Sequence, residues 1–259
     1  MSAVRRLISV VLAAAVSLGV SGAQAGADPN ALWTIVHDQC VPASQAGAGP
    51  AACALVDLGG GYTVLKDLVG ATQFLVIPTD RIAGIESPTL LEPGARNYFA
   101  DAWRARTFVD DRAGVALSRD WVSLAVNSEK ARTQNQFHIH VDCVRADVRE
   151  AISEHIGEIA KSWAAFPEPL AGHPYLAMAV TGEDLAAVNP FQVLADRAPG
   201  ARDDMGSQTL VVVGAYLRDG EAGFILLAGR ADTAAGVPGS GEELQDHAVC
   251  PPPRGEWAK

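Results

Sequence analysis

The chain has 259 residues and a net charge of −10, with 49% hydrophobic and 19% charged residues. This composition allows a large buried core and excludes a disordered chain. The acidic balance, with no basic stripe to offset it, argues against nucleic acid as a partner.

The N-terminus has the pattern of a secretory signal peptide. A pair of arginines precedes the apolar residues 7–20, and a small-residue cleavage signature ends at Ala25. The apolar run is shorter than the roughly 20 residues of a membrane span, although an uncleaved segment could still anchor the chain. We therefore expect an exported protein in which residues 1–25 are a signal peptide or a membrane anchor and residues 26–259 form one domain.

The four cysteines of an exported chain are expected to form two disulfides. Cys40 and Cys53 flank a short loop, which favours a bridge between them and leaves Cys143 to pair with Cys250. A zinc site would require closely spaced cysteine pairs, and the sequence has no such spacing.

Hydrophobic periodicity predicts an α+β fold built on an antiparallel sheet. Strands are predicted at residues 62–66, 73–78, 121–127, 137–144, 175–180, 209–217 and 223–227. Helices are predicted at residues 32–38, 96–112, 145–163, 183–188 and 191–196. The short connection between the first two strands is typical of a hairpin.

The most informative segment is the predicted strand at residues 137–144. Because successive side chains of a strand point to opposite faces, His138, His140 and Asp142 share one face. Two imidazoles and a carboxylate in a row are seldom buried without a partner or a function. The segment therefore indicates a polar cavity, a metal site or a substrate site.

Two kinds of chemistry fit these three side chains. They could bind iron or zinc as facial ligands, but residues 144–147 lack the glutamate that a cupin-like site would add. Alternatively, one imidazole could attack a phosphorus atom while its other ring nitrogen is held by a hydrogen bond. The second histidine would then donate to a phosphate oxygen, and no cofactor would be needed.

The motifs around the histidines resemble the histidine-triad superfamily and, more specifically, the CDP-diacylglycerol pyrophosphatase family. The resemblance rests on residues 64–68 (VLKDL), 81–86 (RIAGIE), 131–140 (ARTQNQFHIH) and 245–250 (QDHAVC). It extends from about residue 31 to residue 250. Asp142 departs from the pattern, since it stands where the triad has its third histidine.

This resemblance implies a histidine-triad-like antiparallel sheet with flanking helices, enlarged by further strands in the C-terminal half. It implies hydrolysis of CDP-diacylglycerol to phosphatidate and CMP through a phosphohistidine intermediate. His140 matches the position of the nucleophile, and His138 would hold the phosphate oxygens. Asp142 would orient His138 or line the pocket.

Further substrate contacts are expected around the two histidines. By the resemblance, Asp67 occupies a position that contacts ribose, and Asn127 a position on the α-phosphate side. Additional donors to phosphate are expected from the side chains of Lys66, Arg132, Gln134 and Asn135. Asp246 and His247 form a candidate pair behind the site.

A lipid nucleotide lies at a membrane surface, so the resemblance also implies action on the periplasmic side of the inner membrane. Two alternatives remain open. One is a histidine-triad hydrolase that acts on soluble nucleotides. The other is an exported metal-binding protein that uses His138, His140 and Asp142.

Overall fold

The computed structural model describes residues 28–248 and residue 250, and the predicted signal or anchor segment lies outside them. The strands are β1 (Leu55–Asp57), β2 (Tyr62–Lys66), β3 (Phe74–Pro78), β4 (Val122–Val126), β5 (Ile139–Cys143), β6 (Ala164–Ala165), β7 (Leu176–Thr181), β8 (Gln208–Tyr216) and β9 (Ala222–Arg230). They form one antiparallel sheet in the order β1-β2-β3-β5-β4-β8-β9-β7-β6. The predicted α+β class and antiparallel sheet are confirmed.

Five α-helices accompany the sheet in the described part of the chain. They are α1 (Ala31–Ile35), α2 (Val41–Gln45), α3 (Tyr98–Ala113), α4 (Ala146–His155) and α5 (Pro190–Arg197). A π-helical segment, Val36–Cys40, joins α1 to α2 in one helical run. Between residues 28 and 248, no helix combines the length and apolar character needed to cross a bilayer.

The long helix predicted over residues 145–163 is wrong beyond His155. Ile156 and Ile159 still pack on the core. Their apolar spacing therefore indicated buried side chains and did not indicate a continuing helix. Gly157 disfavours helix because it loses the most backbone freedom on ordering. The backbone oxygen of Ala160 accepts a hydrogen bond from Ala179, which draws this segment alongside β7.

The short helix predicted over residues 183–188 is also wrong, because this segment forms bends and a turn. The carbonyl oxygens of Leu185 and Val188 accept hydrogen bonds from the side-chain amide of Asn97. The Asn97 oxygen accepts from Ala100 and caps α3. One asparagine therefore fixes both the start of α3 and this turn.

Sequence reasoning also missed the short strands β1 and β6.

The two faces of the sheet are covered differently. Helices α3 and α5 cover one face, where their apolar side chains pack on those of the strands. On the opposite face, the helical run of α1 and α2 packs against β2 and β3. Helix α4 covers the other end of that face, near β8 and β9. The middle of this second face, around β5, lies between the two covers.

Two disulfides are present, Cys40–Cys53 and Cys143–Cys250, as predicted. Such bonds persist in oxidising compartments, so they fit an exported protein. Cys143 is the last residue of β5, and its bridge ties the C-terminal segment to that strand. Hydrogen bonds from Arg145 to Leu244 and from Asp246 to Cys143 hold the same segment in place.

Candidate functional site

Strand β5 places His140 and Asp142 on the second face of the sheet, between the part covered by α1 and α2 and the part covered by α4. His140 pairs with Leu75 of β3 and with Ala125 of β4. The intervening residues Ile139 and Val141 enter the core beneath α3. The predicted division of this strand into a polar and an apolar face is therefore confirmed, with His138 just before its first residue.

His140 is buried, with 4% of its surface exposed. Its Nδ1 lies 2.8 Å from the side-chain nitrogen of Gln73 and 3.2 Å from Oε1 of Glu242. Its Nε2 is buried without a hydrogen-bond partner among the described residues. Nδ1 is thus held by polar neighbours, while Nε2 remains free for a ligand.

His138 is half-buried, and its ring centroid lies 4.6 Å from that of His140 in an edge-to-face arrangement. Its Nδ1 lies 2.7 Å from the backbone oxygen of Gln136. Because a carbonyl oxygen only accepts, Nδ1 of His138 carries the proton and Nε2 has the lone pair. This tautomer has the form that a nucleophile requires.

Burial lowers the pKa of both rings by penalising the charged form. The pKa of His138 lies below 6.5, mainly through loss of solvent. The pKa of His140 lies well below 6.5 for the same reason, with further lowering by His138 and His247. Both imidazoles are therefore neutral at pH 7.

Asp142 is fully buried and belongs to a layer behind the histidines. One carboxylate oxygen accepts a hydrogen bond from Thr72 at 2.7 Å, and the other lies 2.9 Å from Nδ1 of His247. His247 therefore pairs with Asp142, whereas the sequence suggested a pair with Asp246. The contact with Asp142 raises the pKa of His247 and favours an ion pair.

The C-terminal segment closes the site over β5. Oε2 of Glu242 accepts from the side-chain nitrogen of Asn127, and the Asn127 oxygen accepts from the backbone of Gly241 at 2.8 Å. The side chain of Gln245 donates to Ser123 in β4 and to the backbone oxygen of His140. This segment thus supplies a carboxylate to the histidines from a distant part of the sequence.

Two predicted contact residues lie at the base of the β2–β3 hairpin. Oδ2 of Asp67 is 4.0 Å from Nδ1 of His140, so this aspartate borders the site. The ammonium group of Lys66 donates to the backbone oxygens of Asp67 and Gly70, at 2.7 and 2.9 Å. Lys66 therefore stabilises the loop in this structure.

Arg132 and Asn127 line a narrow cleft together with His138. Arg132 also donates to Glu86 at 2.5 Å. Gln134 bonds instead to the backbone of Leu32 and of Asp28, in the N-terminal segment. Asn135 is exposed, and its backbone nitrogen donates to Pro29. The structure thus brings Asn127 and Arg132 to the histidines and places Gln134 and Asn135 beside the N-terminal segment.

The facial metal triad considered for His138, His140 and Asp142 is not assembled in the described structure. The two oxygens of Asp142 contact Thr72 and His247. Within the described residues, the one group with metal-ligand spacing is Asp142, Cys143 and Cys250, and its two sulfurs form a disulfide. The donor set therefore does not fit a metal held by these three residues.

A comparison with protein families agrees with this geometry. Residues 27–251 match the family model of CDP-diacylglycerol pyrophosphatase. The chain belongs to this family. It is therefore a hydrolase that acts on a pyrophosphate bond, and its family hydrolyses CDP-diacylglycerol. The match covers the histidine strand and the C-terminal segment that closes the site.

Sequence reasoning missed Gln73, Thr72 and Glu242 of the candidate site. Gln73 and Thr72 precede an apolar strand, so their polarity was a weak signal. Glu242 lies 102 residues after His140 in a glycine-rich segment, and no local pattern relates the two. Only the folded chain brings this carboxylate to the imidazole.

We predict that Glu242→Gln lowers turnover of CDP-diacylglycerol by roughly tenfold to a hundredfold, by analogy with carboxylates that orient metal-bound histidines. The amide keeps the shape of the side chain but loses the charge beside Nδ1 of His140. Steady-state CMP release measures the effect. The matched control is Glu243→Gln, since Glu243 contacts His173 and Tyr175 and not the histidine pair. Equal activity of the two variants would contradict a positioning role.

We predict that the His247–Asp142 pair makes stability depend on pH. Because the folded-state pKa of His247 is raised, its contribution is complete below about pH 6.5, the value for an unperturbed histidine. The contribution is lost as pH rises through the raised pKa. Urea unfolding at several pH values should show a steeper loss of stability with rising pH in the wild type than in His247→Asn. Parallel curves would show that the pair is not charged.

Proposed function

We propose that this pyrophosphatase converts CDP-diacylglycerol to phosphatidate and CMP through a nucleotidylated histidine. The main support is the pair of His138 and His140 on one strand face, with ring centroids 4.6 Å apart. Each ring has its Nδ1 within hydrogen-bond distance of a fixed partner. An imidazole held in this way can direct Nε2 at phosphorus.

The reaction would proceed in two displacements. Nε2 forms a bond to the CMP-side phosphorus, the anhydride P–O bond breaks, and phosphatidate leaves with the bonding electrons. Water then attacks the same phosphorus, the N–P bond breaks, and CMP is released. The lowered pKa of both rings suits the first step, because a neutral imidazole has the lone pair that attack requires.

The motif resemblance assigns the attack to His140. In that assignment, the proton on Nδ1 of His140 is directed at Glu242, and Nε2 attacks. The amide of Gln73 must then be turned so that its oxygen, and not its nitrogen, faces Nδ1. His138 and Asn127 would contact the phosphate oxygens, and Asp67 would contact the ribose. Because Nε2 of His140 is buried, this assignment requires the side chains that cover it to move when substrate binds.

A second assignment exchanges the roles of the two histidines. It is supported by the contact with Gln136, which gives Nε2 of His138 the lone pair. His140 would then accept from Gln73 at Nδ1 and donate from Nε2 to a phosphate oxygen. Such a preorganised donor is worth about 10²–10³ in rate. The two assignments predict adducts on different residues.

The decisive experiment traps the intermediate with CDP-diacylglycerol labelled in the CMP-side phosphate. The wild type should form an acid-labile adduct, which mass spectrometry locates on one histidine. Asn replacement of the attacking histidine should abolish the adduct and nearly all turnover. Asn replacement of the other should slow adduct formation by about 10²–10³ and leave its position unchanged.

His155 provides a matched control because it contacts Glu158 and not the histidine pair, so His155→Asn should form the adduct at the wild-type rate. If neither His138→Asn nor His140→Asn slowed CMP release, the proposed mechanism would be wrong. Circular dichroism of each variant would show that the fold is intact, so that lost activity reports chemistry.

A substrate panel tests the rival soluble-nucleotide hydrolase. CMP release from CDP-diacylglycerol should exceed release from CDP-choline, which shares the nucleotide but has no acyl chains. The reverse order would favour the rival. Activity that disappears in chelator and returns with one metal per chain would favour a metal-dependent protein instead.

We also propose a histidine-triad-like arrangement of the strands around β5 and a location on the periplasmic side of the inner membrane. The two disulfides support export. A lipid substrate supports a position beside the bilayer.

A further inference from the structure

The loop between β2 and β3 exposes two adjacent aliphatic side chains. Leu68 is 100% exposed and Val69 is 61% exposed. A single exposed aliphatic residue is common on protein surfaces. Two neighbours at the tip of a hairpin, on a chain whose family acts on a lipid, indicate a surface that contacts a partner.

Side chains below this loop satisfy much of the polar backbone at its base. Lys66 donates to the oxygens of Asp67 and Gly70, and Arg112 donates to the oxygen of Ala71 at 3.1 Å. The Val69 nitrogen donates to the side chain of Asp67 at 3.1 Å. Unpaired carbonyl and amide groups would oppose entry into an apolar phase. The contacts at the base therefore allow the aliphatic side chains of the tip to enter such a phase while the backbone of the tip stays at the level of the head groups.

The same loop borders the histidine pair. Oδ2 of Asp67 is 4.0 Å from Nδ1 of His140, and the nitrogen of Ala71 donates to the oxygen of His247. In CDP-diacylglycerol the pyrophosphate is joined directly to the diacylglycerol. A residue that attacks this pyrophosphate must therefore work next to the bilayer surface, and a loop that borders the histidine pair is then close to that surface as well.

The loop has two cations at its base as well as the carboxylate of Asp67. Lys66 and Arg112 donate to backbone oxygens of the loop, so both cations lie within hydrogen-bond distance of its base. Aliphatic residues that enter the acyl region, with cations at the level of the head groups, are typical of interfacial binding. This arrangement favours a membrane over a second protein copy as the occupant.

We propose that Leu68 and Val69 insert into the surface of an anionic phospholipid bilayer and dock the site over its substrate. The inference rests on the proposed function, because it assumes that the substrate is drawn from a bilayer. Insertion of the tip holds the His138–His140 pair at the level of the head groups. A lipid nucleotide then reaches the imidazoles without leaving the membrane.

The first experiment measures whether the loop tip inserts into a bilayer that contains no substrate. All four cysteines form disulfides, so Leu68→Cys in the full chain introduces a single thiol for an environment-sensitive fluorophore. The control is Leu58→Cys, in the turn at the opposite end of β2, roughly 17 Å along the strand. The probe is a vesicle of phosphatidylethanolamine and phosphatidylglycerol. Emission should shift to the blue and resist aqueous quenchers at position 68 only.

An unchanged spectrum at position 68 would overturn the proposal, whether or not the enzyme is active. A blue shift that appears without vesicles as protein concentration rises would also overturn it, since the tip would then bind a second copy. Because these vesicles hold no CDP-diacylglycerol, failure here is distinct from failure of the proposed chemistry.

The second experiment separates docking from catalysis. The double variant Leu68→Asn, Val69→Asn should lose about tenfold or more of its activity on vesicle-borne CDP-diacylglycerol, because less apolar surface anchors it. Its activity on a monomeric short-chain analogue should match the wild type. Leu58→Asn should match the wild type on both substrates. Equal losses on the two substrates would overturn the docking role.

Discussion

The alternation of side chains along β5 is the constraint on which the site depends. Hydrogen bonds to β3 and β4 fix the register of this strand, so Ile139 and Val141 must enter the core. His140 and Asp142 must then face the opposite side. A shift of one residue would bury both polar side chains among hydrocarbon and expose the apolar ones, so the fold and the site share one register.

The place of the site follows from how the second face of the sheet is covered. Helix α4 and the N-terminal helical run each cover one end of that face. The polar middle is closed by the C-terminal segment, which the bond from Cys250 ties to the end of β5. Because unpaired polar groups are costly to bury, this segment brings a partner for each: His247 for Asp142 and Glu242 for His140.

These contacts and burial shift the pKa of the histidines in the two layers of the site in opposite directions. In the inner layer, the contact with Asp142 raises the pKa of His247 and favours an ion pair. The outer layer is a pair of neutral imidazoles, because burial lowers the pKa of His138 and His140. A neutral ring suits attack on phosphorus. The contact between His247 and Asp142 behind it holds the C-terminal segment against β5.

The sequence by itself determined the strand, its two faces, the disulfides and the family motifs. These are local or strongly patterned properties: alternation has a period of two, and the pairing of Cys40 with Cys53 leaves one partner for Cys143. Sequence reasoning extended α4 to residue 163 and made a helix of residues 183–188, because apolar spacing reports burial and not backbone hydrogen bonding. Tertiary contacts of Ala160 and Asn97 decided both segments.

Only the tertiary structure decided which polar residues meet at the histidines. Gln134 and Asn135 adjoin the histidine motif in sequence, yet they contact the N-terminal segment. Glu242 is distant in sequence, yet it lies 3.2 Å from Nδ1 of His140. The physical reason is that a side chain's partner depends on how separate segments pack, and the residue pattern of either segment alone contains no record of that packing.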